Sequence, residues 1–387
     1  MKIYLSRPGA ICCAGSNIET IYASCVSGDK SGIKLCTTID GKNLYVGRVS
    51  NDISKITFEA IEEIKPDVQN VISQFGGKRV GLCLGTCDNG SADSLIAHNS
   101  YFKSDPNVFP QGYNIKFQSA QFLSENIAKR YGICGPVITV ETACSSGAGA
   151  MIRGAQLLKA GLCDAVIAGG ADAASEIVLS GFSSLGAVSK NITNPFSKNR
   201  DGITLGDAAA FFVMSRISMF ENEVELAGYG ESASASHMTA PPEDGSGAAS
   251  AMKAALDNAL IKSSNIDYIN LHGTGTPLND AMEGRAVEKI FGSEGSPAVS
   301  STKPITGHTL GAAGALEAAI CYGALLQGEA ALPVHCYDGV HDENIPKLNF
   351  VKQGNKIKCS GTRLICMSNS FAFGGCNISL ILARIKR

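Results

Sequence analysis

Apolar residues along the chain gather in short unbroken runs rather than in alternating patterns. Lys78 to Leu84 reads K-R-V-G-L-C-L and stops at Gly85. Val137 to Val140 is a second run, ending at the turn Thr142-Ala143-Cys144, and Ala165 to Ala168 is a third, closed by Gly169-Gly170. Runs of this length bounded by glycine predict strands covered on both faces. Between the last two, Ser146 to Gly161 carries Ala, Met, Leu and Gly with apolar residues all round, which predicts a buried helix. Strand, buried helix and strand joined by short links predict a parallel α/β sheet.

The second half repeats this grammar. Tyr268 to Leu271 predicts a strand leading into His272-Gly273-Thr274-Gly275-Thr276. Ala298 to Ser301 predicts another, followed by Lys303 to Thr309 and a helix of small residues from Gly311 to Gln327. V-I-T-V-E-T-A-C-S-S-G-A-G-A and A-V-S-S-T-K-P-I-T-G-H-T-L-G-A-A-G-A each read as strand, reactive loop and slender helix. They suggest an internal duplication divided near Glu221 to Glu225, with residues 1–222 and 223–387 as its halves; chance similarity fits the same strings. In that alignment His308 takes the place of Cys144. Small side chains let each helix pass close to its neighbours, although an alanine-rich helix of good propensity has the same composition.

Composition narrows the class. Hydrophobic residues make up 44% and charged residues 18% of 387, with a formal net charge of −2. That balance excludes disorder and argues against general affinity for nucleic acid or anionic membrane. The 14 cysteines are scattered with no C-x-x-C pair, so neither a zinc site nor a disulfide framework is expected. Most should be small buried hydrophobes in a reducing compartment. Met1 to Ala10 does not read as a signal peptide, and no run reaches a transmembrane length, so the expected location is the cytoplasm.

Candidate chemistry sits on the loops. Cys144 in E-T-A-C-S-S-G follows a strand and opens a helix, whose N-terminal amides and dipole favour a thiolate; Gly147 after it leaves room for a substrate. An inert buried thiol is the plainer reading for most cysteines here. His272 is followed by two glycines and the hydroxyls of Thr274 and Thr276, the lining of a narrow polar channel. A cysteine with His272 and His308 suits transfer of an acyl group to sulfur, then decarboxylation of a malonyl thioester whose enolate is held by two neutral imidazole N–H groups. Lys303 and Glu317 make sense in a core mainly as partners, and as a solvated pair otherwise. M-S-N-S-F-A-F-G-G puts a glycine turn between aromatics, so that Gly374-Gly375 brings backbone close to something and permits motion, while Phe371 and Phe373 also suit a core.

These strings resemble the β-ketoacyl-ACP synthases of the KAS I/KAS II type: T-A-C-S-S-G, H-G-T-G-T-P-L-N-D, K-P-I-T-G-H-T-L-G-A-A-G and N-S-F-A-F-G-G. So do N-P-F-S-K-N-R-D-G-I-T-L-G-D (Asn194 to Asp207) and H-M-T-A-P-P-E-D-G (His237 to Gly245). The match runs in order from about Ile3 to Leu382. The resemblance implies a thiolase-like α/β fold of two pseudo-symmetric halves in five layers, usually dimeric. It implies that Cys144 accepts the acyl chain, that His272 and His308 promote decarboxylation, and that Lys303 with Glu317 orients the site. Phe373 would be a gate whose N–H completes the oxyanion hole with Cys144. Thr274, Thr276, Phe371 and Gly374 would line the channel for the phosphopantetheine arm. No metal or diffusible cofactor takes part; the partner is acyl carrier protein.

The short region from Ile33 to Lys78 and the strings around His272 and Phe373 are similar to ketosynthases of bacterial aryl polyene clusters. There a ketosynthase pairs with a chain-length-factor subunit, so a homodimer and such a heterodimer are both open. Two departures stand out: Gly186 replaces a carrier-facing arginine, leaving Lys129, Arg130, Lys190 or Lys198 to meet the carrier, and R-P-F-D reads N-P-F-S, losing the acid at Ser197. Competing readings are a degradative thiolase, with Cys376 as second cysteine, a non-catalytic chain-length-factor-like subunit, and a simple hydrolase.

Overall fold

The computed structural model describes the chain except residues 89, 293–295, 327–330, 358–361 and 386–387. Two sets of five strands share one topology. From its outer edge the first runs Val137–Val140, Val80–Gly85, Ala165–Asp172, Ala208–Ser215 and Tyr4–Leu5. The second runs Ala298–Ser300, Tyr268–Asn270, Arg363–Phe371, Cys376–Ile385 and Val224–Ala233. In each set the two outermost pairings are parallel and the next two antiparallel. The sets meet where Tyr4–Leu5 pairs antiparallel with Val224–Ala233. A small sheet of Lys34–Thr37, Asn43–Gly47 and Leu205–Gly206 lies apart.

Strand side chains point alternately to two different cores, as the unbroken apolar runs require. From Ala208–Ser215, Ala208, Ala210, Phe212 and Met214 join the central core, and Ala209, Phe211 and Val213 join an outer one. The helices Ser146–Lys159 and Ala313–Leu326 share the central core with both sheets. Ile56, Val68 and Ile127, from three helices, cover the first sheet outside; Met252 and Met282, from two others, cover the second. The result is five layers, helix–sheet–helix–sheet–helix, the expected thiolase-like arrangement. Each large apolar side chain buried this way contributes about 2 kcal/mol.

The centre is thin. Gly169 and Gly170, expected to close a strand, lie inside Ala165–Asp172 instead. A Cβ at Gly169 would stand 2.0 Å from the Ala210 carbonyl oxygen, and one at Gly170 3.1 Å from Gly147 Cα. They are glycines because neighbouring backbone occupies the space. Gly147 is likewise not room for a substrate: a Cβ there would stand 2.9 Å from the Gly311 carbonyl oxygen and 3.0 Å from Ala315 N. The predicted helix from Gly311 begins at Ala313, and Gln327 lies outside the described residues. No described helix is long and apolar enough to cross a membrane.

The matched loops align three residues away from the sequence reading. A turn over Ala143–Ser145 precedes the helix Ser146–Lys159, and a turn over Leu310–Ala312 precedes Ala313–Leu326. Their first residues share a left-handed backbone, with φ of 50° at Ala143 and 53° at Leu310. The counterpart of Cys144 is therefore Gly311, not His308.

Candidate active site

Cys144 occupies the middle of its turn, held by the hydroxyls around it. Ser146 Oγ donates to the Ala143 carbonyl at 2.7 Å and accepts from Thr142 N at 2.9 Å, while Ser145 Oγ donates to the Thr142 carbonyl at 2.8 Å. These bonds stabilise the left-handed Ala143, a conformation that costs about 1–3 kcal/mol in a non-glycine residue. Cys144 is buried, and burial pushes its thiol up to about 11; Lys303 and the Phe373 backbone N–H pull the other way without prevailing. The helix N-terminus thus does not by itself make the resting sulfur a thiolate at neutral pH.

His272 follows the strand Tyr268–Asn270, and its loop is pinned from beneath. Glu283 accepts from His272 N at 2.8 Å and from Gly273 N at 2.7 Å, and Asp280 accepts from Phe196 N at 2.8 Å and Gly275 N at 3.2 Å. Burial raises both carboxyls, Glu283 up to about 8. The buried Nδ1 of His272 has no hydrogen-bond partner. His308 differs: its Nδ1 faces the Leu310 N–H at 3.1 Å, and an acceptor there places the imidazole proton on Nε2. Burial, and then Lys303, hold both imidazoles well below the usual histidine range, so both are neutral.

Lys303 and Glu317 form a buried ion pair. Burial pushes the Glu317 carboxyl up to about 7 against the pull of Lys303, and Oε2 finds no partner. The decisive arrangement is at the centre. The Cys144 sulfur and one ring nitrogen from each histidine lie within 4.8 Å of one another, although they come from three loops. The ring centroids of His272 and His308 are 5.4 Å apart at 87°. A soft metal ion uses the same donor types.

A pocket of about 390 Å³ leads to these atoms. Thr274 and Thr276 line it, their hydroxyls 3.0 Å apart, as do Phe371 and Gly374. The Phe371 ring lies 6.2 Å from His272, and the Phe373 ring stacks on Phe182 at 6.1 Å with its backbone N–H directed at Cys144. Gly374 and Gly375 are left-handed, φ 82° and 77°, and the Gly374 N–H donates to the Met238 carbonyl at 2.7 Å. Cys376 is outside the lining. At the rim, Lys190 N donates to the lining residue Asp201. Arg130 is engaged elsewhere, with its guanidinium 4.4 Å from the Phe58 ring centroid and paired with Glu62 at 3.2 Å. Ser197, in place of an acid, donates to Asp338 at 2.7 Å.

Sequence reasoning missed three buried carboxylates: Asp172, Asp280 and Glu283. Asp280 and Glu283 had a signal in N-D-A-M-E, two acids three apart on a helix otherwise buried at those turns. Asp172 had only its place as a lone acid at the end of an apolar strand.

Comparison with known proteins follows the same lines. Residues 55–219 match the Beta-ketoacyl synthase, N-terminal domain, and residues 224–336 the Beta-ketoacyl synthase, C-terminal domain. The 3-oxoacyl-[acyl-carrier-protein] synthase 2 of Coxiella burnetii is 30% identical, with 99% of each chain covered. Among solved structures, the ketosynthase ApeO in complex with its chain length factor ApeC, from Xenorhabdus doucetiae, is 35% identical with a TM-score of 0.89, covering 99% of this chain and 98% of that one. The ishigamide ketosynthase/chain length factor is 27% identical with a TM-score of 0.87, covering 99% of both. With its doubled fold, its cysteine between two neutral imidazoles and these relatives along its length, the chain belongs to the β-ketoacyl synthase family of condensing acyltransferases.

Proposed function

We propose that this enzyme is a 3-oxoacyl-[acyl-carrier-protein] synthase that holds a growing acyl chain on Cys144 and extends it from a malonyl thioester. The observation that carries the reading is one sulfur and two imidazole nitrogens within 4.8 Å at the end of a pocket.

Cys144 sulfur attacks the thioester carbon of an acyl group carried on a phosphopantetheine arm. A new C–S bond forms, the arm's sulfur leaves, and the Cys144 proton passes to it. His272, with no partner fixing its tautomer, is suited to relay that proton. A malonyl thioester then takes the vacated channel beside Thr274 and Thr276. Loss of carbon dioxide leaves an electron pair as an enolate, whose oxygen receives hydrogen bonds from His308 Nε2–H and from His272. The enolate carbon attacks the acyl–Cys144 carbonyl, and the resulting oxyanion faces the Phe373 and Cys144 backbone N–H groups. Collapse releases the 3-oxoacyl thioester and a Cys144 thiolate, which water reprotonates. Removing one preorganised donor from such a site costs on the order of 100-fold in rate.

The reaction needs no metal or diffusible cofactor, because the arm belongs to the carrier substrate. We assign the same reading its setting: cytoplasmic, acting in a dimer with itself or with a chain-length-factor-like subunit, on specialised polyene or fatty acyl chains. Residues 1–222 would supply the nucleophile and 223–387 the two histidines. Motif resemblance to aryl polyene ketosynthases and likeness to ApeO, solved with its chain length factor, support the heterodimer. The non-catalytic alternative leaves the assembled Cys144, His272, His308 and Lys303 without a use, and the thiolase alternative lacks a second cysteine in the pocket lining among the described residues.

Incubating the protein with a panel of acyl carrier proteins, then with malonyl carrier protein, tests this. Intact-mass spectrometry should find acylation on Cys144, followed by its loss as 3-oxoacyl carrier protein and carbon dioxide appear. A protein that is never acylated, or is acylated at another residue, refutes it.

A further inference from the structure

Asp172 is a fully buried carboxylate that the steps above do not use. It ends the strand Ala165–Asp172 and gathers donors from two distant segments. Thr86 Oγ1 donates to it at 2.8 Å, Asp88 N at 2.9 Å, Cys87 N at 3.0 Å to either oxygen, and the Cys87 thiol at 2.9 Å. The Gly311 N–H, from the other half of the molecule, donates to Oδ2. Gly311 permits that approach because it has no side chain: a Cβ would stand 2.5 Å from Oδ2.

The next amide along is the one that matters chemically. Leu310, left-handed at φ 53°, directs its N–H to His308 Nδ1 at 3.1 Å. One turn therefore has one amide held by a carboxylate and its neighbour holding an imidazole. The turn also packs on the nucleophile turn Ala143–Ser145. An acceptor-only group suits a point where every contact is a donor, whereas an asparagine would present two N–H hydrogens to them. Burial pushes the Asp172 carboxyl up to about 6, still short of neutral pH.

We infer that Asp172 is a positioning residue for the condensation step: by gripping the Leu310–Gly311 turn it keeps His308 in the tautomer that presents Nε2–H to the enolate oxygen. The inference rests on the proposed use of His308 as a donor. A left-handed leucine is otherwise unfavourable by about 1–3 kcal/mol. The carboxylate's bond to Gly311 is a charge-assisted tie that holds it.

Two variants of the full-length protein weaken that bond from opposite sides, Asp172→Asn and Gly311→Ala. With Cys144 already acylated, each should slow malonyl decarboxylation and condensation about 100-fold, as for a lost donor. Acylation of Cys144 should change by less than about threefold. Nitrogen-15 NMR of histidine-labelled protein, with His308 assigned through His308→Gln, should show Nε2 protonated in the wild type and the proton shifted almost wholly to Nδ1 in the variants. A wild-type His308 protonated on Nδ1 overturns the inference whether or not either variant folds. So does a variant that condenses at the wild-type rate, or one that loses both half-reactions equally with its tautomer intact. A wild type that neither acylates nor condenses would instead refute the proposed function itself.

Discussion

The turn that carries Cys144 and the turn that carries Gly311 have nearly the same backbone and opposite duties. Each opens on a left-handed residue and feeds a buried helix of 14 residues. The second residue of each helix is glycine, Gly147 and Gly314, and each lets the opposite turn or helix approach. The fifth residues differ: Ala150 in one, Glu317 in the other, both buried. One turn presents a sulfur to the pocket. Its twin offers only backbone, one amide to Asp172 and one to His308. Fold symmetry thus supplies matched frames, and a few side chains decide which frame reacts and which supports.

The sharpest way to break this pairing is to remove the sulfur. Cys144→Ala should lower acyl transfer from acyl carrier protein by on the order of 10⁴-fold, read by intact mass, because no neighbouring group replaces a covalent nucleophile. Next in size is the asymmetry at the fifth helical residue. Lys303→Met strands Glu317 in the core and should cost about 3–5 kcal/mol in urea unfolding, whereas the double variant Lys303→Met/Glu317→Leu should regain most of that. An equal loss in single and double variants would mean the two charges do not act as a pair.

Smaller effects sharpen the likeness rather than break it. Gly147→Ala and Gly314→Ala should each destabilise by about 1–3 kcal/mol, since each added methyl meets atoms of the facing turn or helix at 2.7–3.0 Å. A large difference between them in thermal unfolding would show that the two contacts are not equivalent. The smallest step is per unit of pH. With the resting thiol raised to about 11, its thiolate is scarce at pH 7, so alkylation of Cys144 by iodoacetamide should rise about tenfold per unit between pH 7 and 10. A rate that has levelled off by pH 8 would mean the helix N-terminus outweighs burial after all.

Cys144, His272, His308, Lys303 and Glu317 were legible in the chain because each lies in a local string whose residue types only make sense together. Strands and buried helices were legible because burial on both faces leaves no polar alternation. The register between halves was misread by three residues. Letters align T-G-H-T with T-A-C-S, but the backbone aligns on the left-handed Ala143 and Leu310, which no string announces. Gly169 and Gly170 were misread because a glycine pair in an apolar run reads as a stop, while here Gly169 meets the adjacent strand and Gly170 the layer of the central helices. Asp172 and Glu283 were missed for a third reason. Their partners are mostly backbone amides, and the Gly311 amide lies 139 residues away from Asp172. A backbone amide has no letter of its own.

The crowding at Gly169 and Gly170 also limits how such an enzyme can change. A methyl group at Gly169 would press on Ala210 and one at Gly170 on the backbone of Gly147, three residues from Cys144, so the layer behind that turn has almost no tolerance for novelty. Leu185, Met238 and Leu278 at the rim are largely exposed and can vary without moving the reacting atoms. Lineages acquiring new substrates would therefore be expected to differ around the doorway while their innermost layer stays frozen.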